Sequence, residues 1–190
     1  MLELSETLIS IFLGVGLAAS VGFRVFLPLF ALSLSAYFNI IPLNDSWQWV
    51  GSSFALITLG IATILEIFAY YIPVFDNLLD TIAVPLAAIA GTAVVVSTAA
   101  NLDPIVTWSL AIIAGGGTAA AIKGSAAGTR AASTATTVGV ANPVVSTVET
   151  GTATALSAFS IFLPVVAIAI VVLLLIGVFF FFKKVRNALR

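Results

Sequence analysis

The sequence predicts an all-α, polytopic integral membrane helical bundle, and three observations carry that prediction. Hydrophobic residues make up 61% of the chain and charged residues 8%, against about 45–50% and about 25% in soluble domains. Several apolar runs approach the roughly 20 residues that a helix needs to cross the hydrocarbon core of a bilayer. Glycines, prolines and isolated charges interrupt these runs, which predicts broken or re-entrant helices around a protein-lined interior. Residues 1–190 read as a single membrane domain.

Taken in order, residues 7–41 form one apolar stretch interrupted at Gly22-Phe23-Arg24 and at Pro28. Two short helices meeting at the break, or a re-entrant hairpin, both fit. Residues 42–49, with Asn44, Asp45, Trp47 and Trp49, read as a membrane-surface segment, because tryptophan favours the headgroup region. Residues 50–72 make a span with Glu66 inside it, ending at Tyr70, Tyr71 and Pro73. An acidic joint with Asp76 and Asp80 at i,i+4 spacing leads to an apolar segment over 81–99, softened by Pro85 and Gly91. Asn101-Leu102-Asp103-Pro104 is a helix-start signal.

Residues 105–122 begin apolar and dissolve into a region of small residues. Between Trp108 and Phe159 there is no aromatic residue, and between Leu110 and Leu156 no leucine. Such a segment faces other helices or water, not lipid. Residues 125–150 predict a helix that breaks before Asn142-Pro143. The last span, 156–182, is leucine- and phenylalanine-rich and lipid-facing, with Pro164 as a kink site.

Composition removes several classes of chemistry. The chain has no cysteine and no histidine, which excludes thiol catalysis, disulfides and histidine-based metal or acid–base chemistry and leaves carboxylates as the plausible proton carriers. Gly115-Gly116-Gly117 is not followed by the Gly-Lys-Ser/Thr of a phosphate loop, no zinc spacing occurs, and no nucleophile–base pairing is visible. The chain is therefore read as a non-enzyme with no cofactor, no metal and no nucleic-acid partner. Lys183, Lys184, Arg186 and Arg190 form a basic tail over 183–190, which predicts a cytoplasmic C-terminus in an inner (plasma) membrane. The N-terminus carries Glu3 and Glu6 without a basic n-region and reads as part of the mature chain.

An ionisable side chain at the centre of a membrane helix costs about 2.5–3.5 kcal/mol on insertion scales, so each embedded charge needs a partner or a cavity. Arg24 follows a glycine and precedes Pro28; the loosened backbone there suits an anion site, and snorkelling to the surface is the plainer reading. Lys123 and Arg130, seven residues apart, share a helix face. With Ser125, Thr129 and Ser133 they make a cationic patch, or else a cytoplasmic loop. Asn142 and Ser146 complete the expected substrate-binding set. Glu66 is expected to accept a proton or to serve as counter-ion to Arg24, Lys123 or Arg130, with a structural ion pair as the bland alternative. Asp76, Asp80 and Glu149 join it as proton or counter-ion groups, or cap helix starts.

A weak internal similarity relates halves 1–100 and 101–182. Gly14-x-Gly16-Leu-Ala-Ala leading to Arg24 is echoed by Gly115-Gly-Gly117-Thr-Ala-Ala leading to Arg130. Pro73, Asp76 and Asp80 are echoed by Pro143, Ser146 and Glu149. Paired broken helices of this kind place transporter sites between repeats.

Three pieces of the chain resemble domain-of-unknown-function family 4126, a family of small, mostly bacterial membrane proteins. They are Gly22-Phe23-Arg24 with Pro28, Glu66 with Ile72-Pro73 and Asp76, and Asn142-Pro143-Val144-Val145-Ser146 with Glu149. The resemblance implies several membrane spans over nearly the whole chain and no particular activity.

These readings converge on a small membrane transporter or channel that moves an anionic solute or a lipid-linked phosphate along broken helices; a cation pathway through the acids is a variant. The alternative is a non-transporting scaffold or assembly factor. Its small-residue surface would pack against a partner or a second copy in a homo-oligomer.

Overall fold

The computed structural model describes residues 2–99 and 102–188, and within them every side chain except those of Leu2, Glu3, Pro73, Val74, Asp76, Asn77, Val185 and Ala188. It is all-helical over that range: α1 (Leu2–Val21), α2 (Phe26–Tyr37), a 3-10 segment (Asp45–Gly51), α3 (Ser53–Ala69), α4 (Pro73–Thr98), α5 (Pro104–Leu110), a π-helical turn (Ala111–Gly116), α6 (Gly117–Thr137), α7 (Asn142–Phe162) and α8 (Pro164–Ala188).

Local chemistry sets the boundaries. The side chains of Asn44, Ser52 and Asp103 accept hydrogen bonds from Ser46, Ala55 and Ile105 N–H groups and start the elements that follow, as short polar residues do at helix N-termini. Proline opens α4, α5 and α8 and stands near the start of α7, where its missing N–H costs nothing. Helix α6 ends in left-handed backbone, with Val138 at φ 54° and Gly139 at φ 83°.

Among the described residues four helices are long and apolar enough to cross a membrane: Leu4–Val21, Leu78–Thr98, Pro104–Thr137 and Pro164–Lys184. The 3-10 segment and α3 form a further apolar pair bent by 62°. Two boundaries differ from the sequence reading. Residues 104–137 run as one continuous helix through the glycine triplet, because a π-helical turn absorbs it and not a loop. The expected kink at Pro164 is a full break: Leu163 leaves helical backbone (φ −139°, ψ 63°), so residues 156–162 belong to α7.

Helix α1 is central and packs against α4, α6, α7 and α8. Leu17, Ala18, Ala19, Ser20 and Val21 are completely buried, with Leu32 and Val94 in the apolar cluster on one side and Val95, Ile122, Leu156 and Val171 in that on the other. The α4–α6 seam is glycine against glycine: a Cβ on Gly115 would lie 2.6 Å from the Gly91 carbonyl oxygen. With Asp80 meeting Arg130 farther along, the two helices are antiparallel. Helices α2 and α3 are likewise antiparallel, since Phe30 covers Gly60 and Ala36 covers Gly51. The breaks at 70–72 and 138–141 therefore lie toward one end of the bundle, and the break at 22–25, level with Ile122 and Lys123 of α6, lies deeper on the same side. Asn44 N–H donates to the Ser97 carbonyl (2.9 Å) at the other end. Gly124 and Gly128 of α6 face Phe182 and Phe181 of α8, so the first end is also the end where Lys183 and Lys184 begin the basic tail.

Candidate functional site: a buried charge cluster at the α1–α2 break

Arg24, Arg130 and Lys123 are the three bulkiest fully buried side chains among the described residues, at 0%, 2% and 0% exposure. Burial this complete rules out snorkelling, and it requires that each charge be answered within the protein. Their common neighbour is Tyr70, itself 3% exposed. Its ring lies 4.2 Å from Arg24 Cζ, 4.3 Å from Arg130 Cζ and 5.0 Å from Lys123 Nζ. A tyrosine face attracts desolvated cations by about 2 kcal/mol or more in such surroundings.

The break between α1 and α2 is held from both sides. Val25 stands at the N-terminus of α2 with no side-chain cap of its own, which leaves backbone N–H groups to be satisfied. Glu66 of α3 satisfies them: Val25 N–H donates to Oε1 (2.7 Å) and Phe26 N–H to Oε2 (3.0 Å). Lys123 Nζ donates to the Phe23 carbonyl (3.1 Å), just past the C-terminus of α1. An anion thus meets a helix N-terminus and a cation a helix C-terminus, each the favourable end of the dipole. Glu66, expected as a proton group or counter-ion to a cation, has backbone donors as its hydrogen-bond partners.

Arg24 extends from the break to α7. Its Nε donates to Thr150 Oγ1 (3.0 Å) and its Nη2 to the Ser146 carbonyl (2.9 Å), with Glu149 Oε2 3.9 Å from Nη2. Arg130 of α6 donates through Nη2 to Glu149 Oε2, and its Nε lies 3.4 Å from Asp80 Oδ2 of α4. The donor Arg24 Nη1 and the acceptor Glu149 Oε1 are buried without a hydrogen-bond partner among the described residues, as is the Ser133 hydroxyl on α6. Ser146 Oγ donates to the Tyr70 carbonyl (3.2 Å), fixing the aromatic ring's backbone, and Asn142 Nδ2 donates to Thr134 Oγ1 (3.0 Å), tying α7 to α6.

The structure thus gathers eight of the nine expected site residues at one end of the bundle; the Asp76 side chain lies outside the described residues. Asn142 stands at the α6–α7 turn, where it holds α7 to Thr134 of α6. Tyr70 and Thr150 were missed. Tyr70 read as an interfacial aromatic closing a span, and only the three-dimensional meeting of α3 with α1 and α6 reveals its position among the cations. Among the described side chains three cations (Arg24, Lys123, Arg130) face three acids (Glu66, Asp80, Glu149), which balance in formal charge.

Two cavities reach the cluster from opposite sides. One, about 620 Å³, lies between α6, α7 and α8 against Phe23 and is walled by residues such as Ile122, Val148 and Leu174, with Ser125, Thr129 and Glu149 as its polar lining. The other, about 340 Å³, lies between α2, α3 and α4 and is apolar apart from Glu66 and Tyr70. Each meets the cluster at a carboxylate. Among the described residues no group of His, Cys, Asp and Glu is arranged to hold a metal ion.

A bundle of long apolar helices around a closed, charge-balanced core defines an integral membrane protein. Residues 11–184 match the family model described as "Domain of unknown function (DUF4126)", and the chain belongs to that family. No curated protein and no solved structure matches it.

Proposed function

We propose that this protein is a small membrane transporter in which an anion and a proton are handled together at Arg24, Glu149 and Arg130. The observation that carries the reading is the imperfect pairing inside an otherwise satisfied cluster. Among the described residues Arg24 Nη1 is buried without a hydrogen-bond partner, while Glu149, 3.9 Å from the neighbouring Nη2, is engaged with Arg130 through one oxygen and leaves Oε1 without one. Unpaired buried donors and acceptors are costly, on the order of 1–3 kcal/mol each: an anion answers the Arg24 donor, and a proton removes the charge from Glu149. The balance of three cations and three acids among the described side chains adds a constraint. Bringing one more negative charge into it is electrostatically tolerable only with a proton, and the carboxylate that faces the larger cavity is Glu149. An anionic solute or a lipid-borne phosphate would then bind Arg24 and Arg130 as Glu149 takes the proton and withdraws.

The test is transport by the purified chain in proteoliposomes, reading both uptake of inorganic phosphate and inward flipping of labelled phosphatidylglycerol, with and without a proton gradient. Arg24→Gln should reduce transport at least tenfold in a folded protein. Glu149→Gln should keep a basal rate and lose its stimulation by the gradient. Folded Arg24→Gln and Arg130→Gln variants that transport at the unmodified rate would sink the anion site.

A scaffold or assembly role draws support from one observation, that most of the cluster is already satisfied within the chain, as in a purely structural core. Single cysteines along 118–140 separate the two readings. Reaction with a polar thiol reagent favours a pathway, and protection throughout favours the scaffold.

A further inference from the structure

We infer that the cavity between α6, α7 and α8 is a lateral entry site for an anionic phospholipid, with one acyl chain in the cavity and the phosphate at its polar end. This deepens the transport reading, on which it rests for the withdrawal of Glu149.

The cavity is graded along its length. Ile170, Leu173 and Leu174 line it toward the bilayer interior, and its three polar lining residues, Ser125, Thr129 and Glu149, stand among Val144, Val145 and Phe181 toward the α6–α7 end. Its wall on α8 runs from Ile170 to Phe181, roughly 17 Å at about 1.5 Å per residue, a length suited to a chain lying along the bilayer normal. At about 620 Å³ it falls within the range of about 300–1,000 Å³ typical of small-molecule sites. A free hydrated anion has no use for such walls, whereas a membrane lipid does.

Depth points the same way. Gly124 and Gly128 of α6, which bracket Ser125, face Phe182 and Phe181. The polar end therefore lies where the apolar run of α8 gives way to Lys183 and Lys184, both exposed. That is the level of lipid phosphates, and basic residues there attract anionic headgroups. A headgroup at this depth has the two lysines outside and Arg24, with its unpartnered Nη1, behind Glu149. Glu149 is the one charged residue lining the cavity, and once it withdraws the charges nearest the headgroup are the cations Arg24, Lys183 and Lys184, which select an anionic lipid over a zwitterionic one.

Two glycines make a matched test. A Cβ at Gly177, which lines the cavity, and one at Gly151, which does not, each meet nothing within 4 Å. Gly177→Phe puts a bulky side chain at the cavity wall and Gly151→Phe adds the same side chain elsewhere, and at both positions the Cβ has open space around it. Native mass spectrometry of the delipidated full chain, titrated with phosphatidylglycerol, phosphatidylcholine or inorganic phosphate, reads occupancy directly. The expected result is one saturable phosphatidylglycerol, bound at least tenfold tighter than phosphatidylcholine, lost at least tenfold in Gly177→Phe and retained in Gly151→Phe. Equal binding of both lipids, equal binding by both variants, or saturable binding of inorganic phosphate with no lipid preference overturns the lipid site. Because occupancy is measured without transport, the two readings fail separately. Lipid binding without transport removes the transporter, and Arg24-dependent uptake of phosphate without lipid binding removes the entry site alone.

Discussion

At the scale of single residues, the cluster distinguishes side chains that hold the fold from those free to exchange. Glu66 is the first kind, because its two oxygens are the N-terminal cap that α2 lacks. Hydrogen bonds to a charged group contribute about 1.5–3 kcal/mol each. Glu66→Ala should therefore lower stability by on the order of 3 kcal/mol, read as an earlier thermal transition in detergent. Glu66→Gln should recover part of the loss, since an amide oxygen still accepts one N–H. Tyr70 should behave differently. Tyr70→Phe keeps the ring face against Arg24, Lys123 and Arg130 and should change stability by less than about 1 kcal/mol. Tyr70→Leu removes the face and should cost about 2 kcal/mol or more. Similar losses in the two variants would show that the ring serves only to fill space.

At the scale of elements, the seam of α4 and α6 depends on glycine at defined positions. A Cβ at Gly115 meets Gly91 backbone at 2.6 Å, whereas a Cβ at Gly117 meets nothing closer than the Ile112 carbonyl at 4.0 Å. Gly115→Ala should separate the helices and destabilise the protein, while Gly117→Ala should be neutral or stabilising by about 0.5–1 kcal/mol, the usual gain from replacing a helical glycine. The α6–α7 turn offers the reverse case. Val138 is a β-branched residue in left-handed backbone at φ 54° and is almost fully exposed, so its strain is not offset by burial. Val138→Gly should raise the transition temperature. The sequence made these elements legible unevenly. Asp103-Pro104 marked the start of α5 correctly because a cap is a local signal. Gly115-Gly116-Gly117 read as a place where a helix dissolves, because the partner that turns glycine into a packing surface, Gly91, is distant in sequence.

At the scale of the whole molecule, the arrangement of ends predicts a labelling pattern in this cysteine-free chain. Single cysteines at exposed Val140 and at Lys184 should react from one side of the membrane, and cysteines at Asp45 and Leu102 from the other. Reaction of Val140 and Lys184 positions from opposite sides would contradict the antiparallel order of α6, α7 and α8. The membrane class and the charged residues of the site were readable from hydropathy and from the rarity of embedded charge. Which acid answers which cation was not, since Glu66 turns to backbone and Glu149 reaches Arg130, pairings decided by helix packing and not by spacing.

The charge cluster also bears on how the chain comes together. Among the described side chains, the charged groups of the cluster up to the end of α4 are the buried Arg24 and Glu66 and the half-buried Asp80, a surplus of one negative charge; beyond it they are the buried Lys123, Arg130 and Glu149, a surplus of one positive. Neither portion can neutralise its own share, and the α1–α2 break stays uncapped at Phe23 until α6 brings Lys123. The two portions are electrostatic complements. Separately translated pieces divided between α4 and α5 should therefore find one another in the membrane, and reversing the surplus in one piece alone should keep them apart.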